Sequence, residues 1–288
     1  MSSTQQLKQR IRSVKSTKQI TKAMQMVAAS KMRRAQDADK ASSAYTHAAS
    51  ELLTYFASHG ETNDHPLFQK RPVKTRLLIV IAADKGLAGA YNSNVMRTYI
   101  RELQSDDKAK VKNTTIAIGR RASLFVTRLK DTDVLGAYED LPEQPTGSEL
   151  RAILNTARDK FVNEEVDAVD VVYTKFISSI NQETATVRIL PAGFEQTEVD
   201  AHISTALYEP SSDEVLDGIA YRLVEAQLFQ ALLDARASEW SMRMMAMKNA
   251  TDNASELADD LTLEMNKARQ GAITQELAEI SGGVEAMK

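Results

Sequence analysis

Apolar positions near the amino end recur three and four residues apart: Leu7, Ile11 and Val14, then Ile20, Met24 and Val27. This spacing predicts a helix, and the longer step from Val14 to Ile20 predicts an apolar stripe that shifts around it part-way. Toward the other end Leu216, Ile219, Leu223 and Ala226 repeat the pattern, followed by Ala254, Leu257, Leu261, Met265, Ala268 and Ala272. The many small residues suit a coiled-coil seam. Pro66, Pro72, Pro142, Pro145, Pro191 and Pro210 all lie in the middle, and neither Pro nor Gly occurs in 1–59 or 219–270. These residues break helices at roughly 3 and 1 kcal/mol, so their absence predicts two long helices, each reaching roughly 75–85 Å. Helices of ordinary globular domains stop within roughly 20 residues, which favours a coiled coil over two amphipathic helices laid on a core.

Between the helices the pattern changes to short β-branched runs, "RLLIVIAAD" (76–84), "TTIAIG" (114–119), "DAVDVVYTKF" (167–176) and "TATVRILP" (184–191), which predict strands. Helical segments alternate with them near 92–104, 120–130 and 147–164. That order predicts a small α/β domain with a largely parallel sheet. The expected organisation is an amino-terminal helix over 1–59, an α/β domain over 60–210 and a carboxyl-terminal helix over 211–288.

The 288 residues, 43% of them hydrophobic, suffice for one large domain or two ordinary ones. A net charge of −3 argues against a dedicated nucleic-acid binder. The absence of cysteine excludes disulfides, thiolate metal sites and cysteine nucleophiles, and suits a reducing compartment. No run approaches the roughly 18 apolar residues that span a bilayer, and "MSSTQQLKQR" lacks the apolar core of a secretion signal, so a soluble or peripheral protein is expected.

The most enzyme-like stretch is "AADKGLAGAYN" (82–92), where a strand runs through Asp84, Lys85, Gly86 and Gly89 into a helix. A glycine-rich turn there can bind anions through free backbone N–H groups. Its spacing is neither G-x-G-x-x-G nor G-x-x-x-x-G-K-[ST], so tight turn geometry, with φ above zero at Gly86 and Gly89, is the better expectation. His47, His59, His65 and His202 form no metal-ligand spacing, and no G-x-S-x-G elbow is present. No catalytic, cofactor-binding or metal-binding residue is assigned.

One charge pattern is unusual. Lys8, Arg10, Arg12, Lys15, Lys18, Lys22, Lys31, Arg33 and Arg34 precede the first acid, Asp37. Solvated helix faces normally mix both signs, so the run points to an acidic neighbour. The bulky apolar face of an interfacial membrane helix is missing, which favours protein carboxylates over lipid.

The stretch "RMMAMKNATDNASELADDLTLEMNKARQGAITQELAEISGGVEAM" (243–287), taken with "IRSVKSTKQITKAMQMVAASKMRRAQ", closely resembles the gamma subunit of bacterial F-type ATP synthases. "AADKGLAGAYN" and "ALYEP" (206–210) match the middle of that family. The resemblance implies a fold in which the terminal helices form a long antiparallel coiled coil with an inserted Rossmann-like α/β domain. It implies a central-stalk rotor, with no cofactor of its own, standing inside a hexamer of alpha and beta subunits. The α/β domain would rest against the epsilon subunit and the c-ring at the cytoplasmic face of the bacterial plasma membrane, touching the membrane only through the complex.

Carried over by motif, Met24, Lys31, Arg33, Arg34 and Arg243 are expected at the beta-subunit lever loops, and Arg269, Gln270 and Thr274 at the upper catalytic ring. Tyr208 and Glu209 are expected at the c-ring, and Ala272, Ile273, Leu277 and Ile280 at an apolar bearing. Lys85 and Ala88 stand where the family often has Arg and Cys, and no cysteine-bearing regulatory insert is present. Two rival functions are a nucleotide-dependent α/β enzyme with helical oligomerisation arms and a coiled-coil nucleic-acid module, against which the net charge speaks.

Overall fold

A computed structural model describes residues 4–58, 62, 65–129, 132–142, 147–193 and 211–286, with backbone alone for 39–50, 147–149, 212–213 and 284–286. The elements are α1 (Thr4–Ser58), a 3-10 turn (Pro66–Phe68), β1 (Thr75–Ile81), α2 (Tyr91–Ala109), β2 (Lys112–Ile118), α3 (Arg120–Val126), β3 (Asp133–Tyr138), α4 (Gly147–Val162), β4 (Ala168–Phe176), β5 (Gln182–Leu190) and α5 (Ser212–Ala286). They form two compact units, Met1–Ala28 with Arg243–Lys288, and Ala29–Met242. Helix α1 falls within the expected breaker-free window of 1–59, whereas α5 exceeds 219–270 at both ends and continues through Gly218, Gly271, Gly282 and Gly283.

In the first unit the two chain ends run antiparallel. Lys18 Nζ donates to Ser255 Oγ at 2.6 Å and Thr251 Oγ1 to Thr21 Oγ1 at 2.8 Å, so advancing three residues along α1 retreats four along α5. The seam differs from the sequence-based expectation. Ile20 and Val27 are 58% and 52% exposed, whereas Thr21 and Ala28 are buried. Leu7, Ile11, Val14, Lys18, Thr21, Gln25 and Ala28 keep an unbroken four-three spacing, so the stripe never shifts. On this part of α5 the buried positions are Arg243, Met247, Thr251, Ala254, Ala258 and Leu261, with Leu257 facing out. Polar residues at seam positions, with Thr21 buried, Gln25 half-buried and Lys18 exposed, made the stripe look broken.

The second unit contains a five-stranded sheet in the order β3-β2-β1-β4-β5, parallel except for β5. Strand β3, "DVLGAY", escaped the sequence reading because its flank is exposed and Gly136 interrupts it. Side chains alternate along each buried strand. Leu77, Ile79, Ile81, Val169 and Val171 pack on one face under α4 and α5, through Leu154, Phe161, Val224, Leu228 and Leu232. Leu78, Val80 and Val172 pack on the other under α2 and α3, through Val95, Tyr99, Ala122 and Val126. The end of α1 joins the start of α5 through Leu53, Phe56, Leu216 and Leu223.

A buried ionic cluster locks α2 and the β5 edge of this sheet to its centre. Arg76 Nη1 on β1 donates to Glu102 at 2.9 Å and Asp106 at 3.0 Å on α2. Its Nε donates to Asp170 on β4, whose carboxylate also accepts from Arg188 Nε on β5 at 2.8 Å. Burial pushes the Asp106 carboxyl above its usual range, outweighing the pull of Arg76.

Candidate partner-binding surfaces

In doubly wound sheets, ligands bind beyond the carboxyl ends of the strands where the strand order reverses. Here that point lies between β1 and β4, and the chain fills it. The 82–92 turn folds onto itself: Asp84 Oδ1 accepts from the backbone N–H groups of Arg120 at 2.9 Å and Asp140 at 3.2 Å. Asn92 Oδ1 accepts from Ala83 N at 3.0 Å. A carboxylate thus takes the anion's place at the amino end of α3. Gly89 has the expected positive φ of 55°, but Gly86 does not; Leu87 takes φ 64° instead. What constrains Gly86 is the Arg121 guanidinium, 3.0 Å from where a Cβ would stand.

Helix α5 covers the rest. Ala83, Ala88 and Tyr91 form a buried cluster against Met242. Ser238 Oγ donates to the Thr174 carbonyl at 3.1 Å. Ser241 Oγ donates to the Ser179 carbonyl at 2.7 Å and accepts from Gln182 Nε2 at 3.1 Å. Ser238 and Ser241 are both fully buried, so α5 is held by hydrogen bonds to the last residues of β4, the β4–β5 connection and the first residue of β5.

The basic run of α1 faces water. Lys8, Arg10, Arg12, Lys15, Lys18, Lys22, Arg33 and Arg34 are exposed, and among the described residues no carboxylate lies within ion-pair distance of them. Ile20, Met26 and Val27 stand exposed among them, Met26 at 65%. Lys31 differs from the group: it is half-buried, with Nζ 4.6 Å from the ring centroid of Trp240. Met24 is half-buried. Arg243 is only 5% exposed and does not present its charge at the surface.

Beyond Ala268, α5 has outrun α1, and every residue from Arg269 to Gly283 is exposed. Arg269, Gln270 and Thr274 lie there, with Thr274 Oγ1 donating to the Gln270 carbonyl at 2.9 Å. Ile273, Leu277 and Ile280 are 51%, 60% and 65% exposed, an apolar stripe with a four-three step. Tyr208 and Glu209 lie outside the described residues.

The sequence model of the ATP synthase family matches residues 3–287. The chain is 39% identical over 288 residues to an ATP synthase gamma chain of Macrococcus caseolyticus and 37% identical over 289 residues to one of Staphylococcus saprophyticus, covering all of each protein. It belongs to the ATP synthase gamma chain family. Among solved structures it is similar to a chain of the Euglena gracilis mitochondrial ATP synthase, with a TM-score of 0.67, 19% identity, and coverage of 99% of this chain and 94% of that one. It is also similar to a chain of the Tetrahymena thermophila mitochondrial ATP synthase central stalk and c-ring, with a TM-score of 0.61, 23% identity, and coverage of 80% and 99%. Those two likenesses establish a shared fold: long terminal helices around a five-stranded α/β unit.

As a gamma-chain family member, the chain carries its expected contact residues in separate places. Arg33 and Arg34 are on the exposed basic face, Arg269, Gln270 and Thr274 on the bare end of α5, and Arg243 is inside. The residues that sequence reasoning missed are polar and buried: Thr21 and Thr251 in the seam, Ser238 and Ser241 at the crevice. The unbroken four-three spacing of Thr21 with Leu7, Ile11 and Val14 was the one signal that pointed to any of them.

Proposed function

We propose that the chain is the central-stalk rotor subunit of a proton-translocating F-type ATP synthase, turning with the c-ring and imposing successive states on the catalytic beta subunits. The observation that carries this is the division of labour along α5. Its 238–242 stretch is bonded into the crevice of the sheet, while every residue of its 269–283 stretch is exposed. A helix anchored at one part and bare at another suits transmission of torque, and a filled crevice disfavours the nucleotide-dependent enzyme.

Coupling requires each orientation of the shaft to favour one arrangement of open and closed sites, since a partner with equal affinity for all states shifts none. The asymmetry is built in: α1 presents uncompensated positive charge with Ile20, Met26 and Val27, and α5 presents Ile273, Leu277 and Ile280. Arg33 and Arg34 then meet carboxylates of the beta lever loops. Arg269, Gln270 and Thr274 meet the upper ring of alpha and beta subunits, the apolar stripe turns within a sleeve, and Tyr208 and Glu209 meet the c-ring. Lys31 acts by fixing α1 on Trp240, and Arg243 acts from within the helix pair. The subunit itself performs no chemistry; nucleotide turnover belongs to the ring. No helix among the described residues is long and apolar enough to cross a membrane, and we place the chain peripherally at the cytoplasmic face, beside epsilon.

The test is Arg33→Glu with Arg34→Glu, which leaves the Lys31–Trp240 contact intact. Exposed ion pairs are individually worth about 0–1 kcal/mol, so the helix should fold, while two repulsive encounters recur at every beta subunit. ATP-driven proton pumping relative to hydrolysis should fall in membranes carrying the assembled variant, most at low salt. A ratio equal to the parent's at low salt would refute the electrostatic contact, and absence of the parent chain from purified synthase would refute the rotor assignment itself.

A further inference from the structure

Between α2 and α3, on the sheet face away from α5, lies a groove of about 560 Å³ lined by Met96, Ile100, Leu124 and Phe125 and rimmed by Arg97, Arg121 and Arg128. All three arginines are exposed, and Leu124, also exposed at 43%, stands beside them. Among the described residues no carboxylate pairs with any of the three; Arg97 reaches only Asn94 Oδ1, at 3.5 Å. The ionic cluster does not use this surface, and Arg121 borders both the groove and the 82–92 turn, its guanidinium lying beside Gly86.

We infer that this groove is a docking site for an acidic amphipathic segment of another subunit of the complex, one whose Asp or Glu residues flank a row of apolar side chains. This rests on the rotor assignment and adds to it a surface distinct from the basic run of α1 and the bare end of α5. Charge complementarity fixes the sign of the occupant. Three guanidinium groups present planar forks that pair bidentately with carboxylates, and among the described residues none of the three has a carboxylate partner. The floor fixes the rest of its chemistry. Met, Phe and Arg are the residues enriched at the cores of protein–protein interfaces, whereas Lys is depleted there, and this groove contains three Arg and no Lys. A free phosphate or a lipid headgroup satisfies the rim but leaves Met96, Ile100, Leu124 and Phe125 uncovered.

The experiment uses the purified assembled complex. A photo-crosslinking phenylalanine placed at Leu124 should yield one dominant crosslinked peptide from another subunit, containing carboxylates spaced around apolar residues. Arg97→Glu, Arg121→Glu and Arg128→Glu combined should lower occupancy of that same subunit at least tenfold in native mass spectrometry. Arg→Lys at the three positions should retain it better than the reversal does. A crosslink to phospholipid, no crosslinked product, or parental occupancy of every subunit in the triple reversal would overturn the proposal. So would saturable binding of inorganic phosphate by the parent complex that the triple reversal abolishes. Should the triple reversal fail to assemble, the Leu124 crosslink decides alone. Each of these outcomes is read on a complex that contains the chain, so failure of the docking site is distinguishable from failure of the rotor assignment.

Discussion

Replacing Ser238 and Ser241 with alanine together should loosen the hold of the sheet on α5. The pair removes three hydrogen bonds, from Ser238 to the Thr174 carbonyl, from Ser241 to the Ser179 carbonyl and from Gln182 to Ser241. Thr174 is buried, so losing its side-chain donor costs about 1–3 kcal/mol. Ser179 and Gln182 are half-buried and regain water, so their two bonds are worth about 0.5–1.5 kcal/mol each. Alanine is the better helix former by about 0.5 kcal/mol per site, which offsets part of this. The net loss is about 1–5 kcal/mol, and for a unit of this size each kcal/mol lowers Tm by roughly 2–4 °C. Thermal unfolding of the full chain, followed by fluorescence of Trp240, the single tryptophan, should show a drop of several degrees. Hydrogen exchange should quicken in the β4–β5 connection, and the assembled variant should pump fewer protons per ATP hydrolysed. A Tm equal to or above the parent's would mean that helix propensity alone governs these sites and that α5 is held by shape, not hydrogen bonding.

Gly119→Ala should destabilise the α/β unit by at least about 3 kcal/mol, because its φ is +90° and a Cβ would stand 2.0 Å from the Ala82 carbonyl oxygen. Gly86→Ala, meeting only the far end of Arg121, should cost less than half as much, and denaturant titration of the two variants checks the order. Asp167 is held below the usual carboxylate range: burial acts to raise it but is outweighed by hydrogen bonds from the backbone of Thr75 and Lys74 and from Arg71. Its contribution is therefore complete above about pH 4, the unfolded value, and is lost as pH falls through the lower folded value. Asp167→Asn should lower the denaturation midpoint at pH 7 and converge with the parent once pH falls below the depressed folded value; a constant gap would refute the linkage. Asp106, shifted the other way by burial, should make the opposite contribution, lost as pH rises above about 4. Thr21→Val with Thr251→Val should preserve helix content yet blur the pairing of α1 with α5, since a matched polar pair in an otherwise small and apolar seam selects register. A disulfide introduced at Lys18→Cys and Ser255→Cys that forms as readily in the double valine variant as in the parent background would count against that role.

The sequence by itself determined the two long helices, the parallel core of the sheet and the family. Absence of Pro and Gly over fifty residues is a local property that tertiary contacts seldom override, and strands such as "RLLIVI" are apolar enough to be buried in any fold. The motifs at both ends identify the family because long, specific strings rarely agree by chance. Only the tertiary structure decided the seam. Ile20 looked like a core residue and lies in water, while Thr21 looked like surface and is buried, because burial of a hydroxyl depends on a partner 230 residues away. The same holds for Ser238 and Ser241, whose acceptors on β4 and in the β4–β5 connection lie 64 and 62 residues away, and for Arg243, an arginine whose burial no local pattern announces. Gly86 was assigned a backbone role that Leu87 takes, since which residue of a tight turn goes left-handed is settled by what the turn must hold. Periodicity reports which face of an element is apolar; it carries no information about polar groups that become cheap to bury once the fold brings their partners to them.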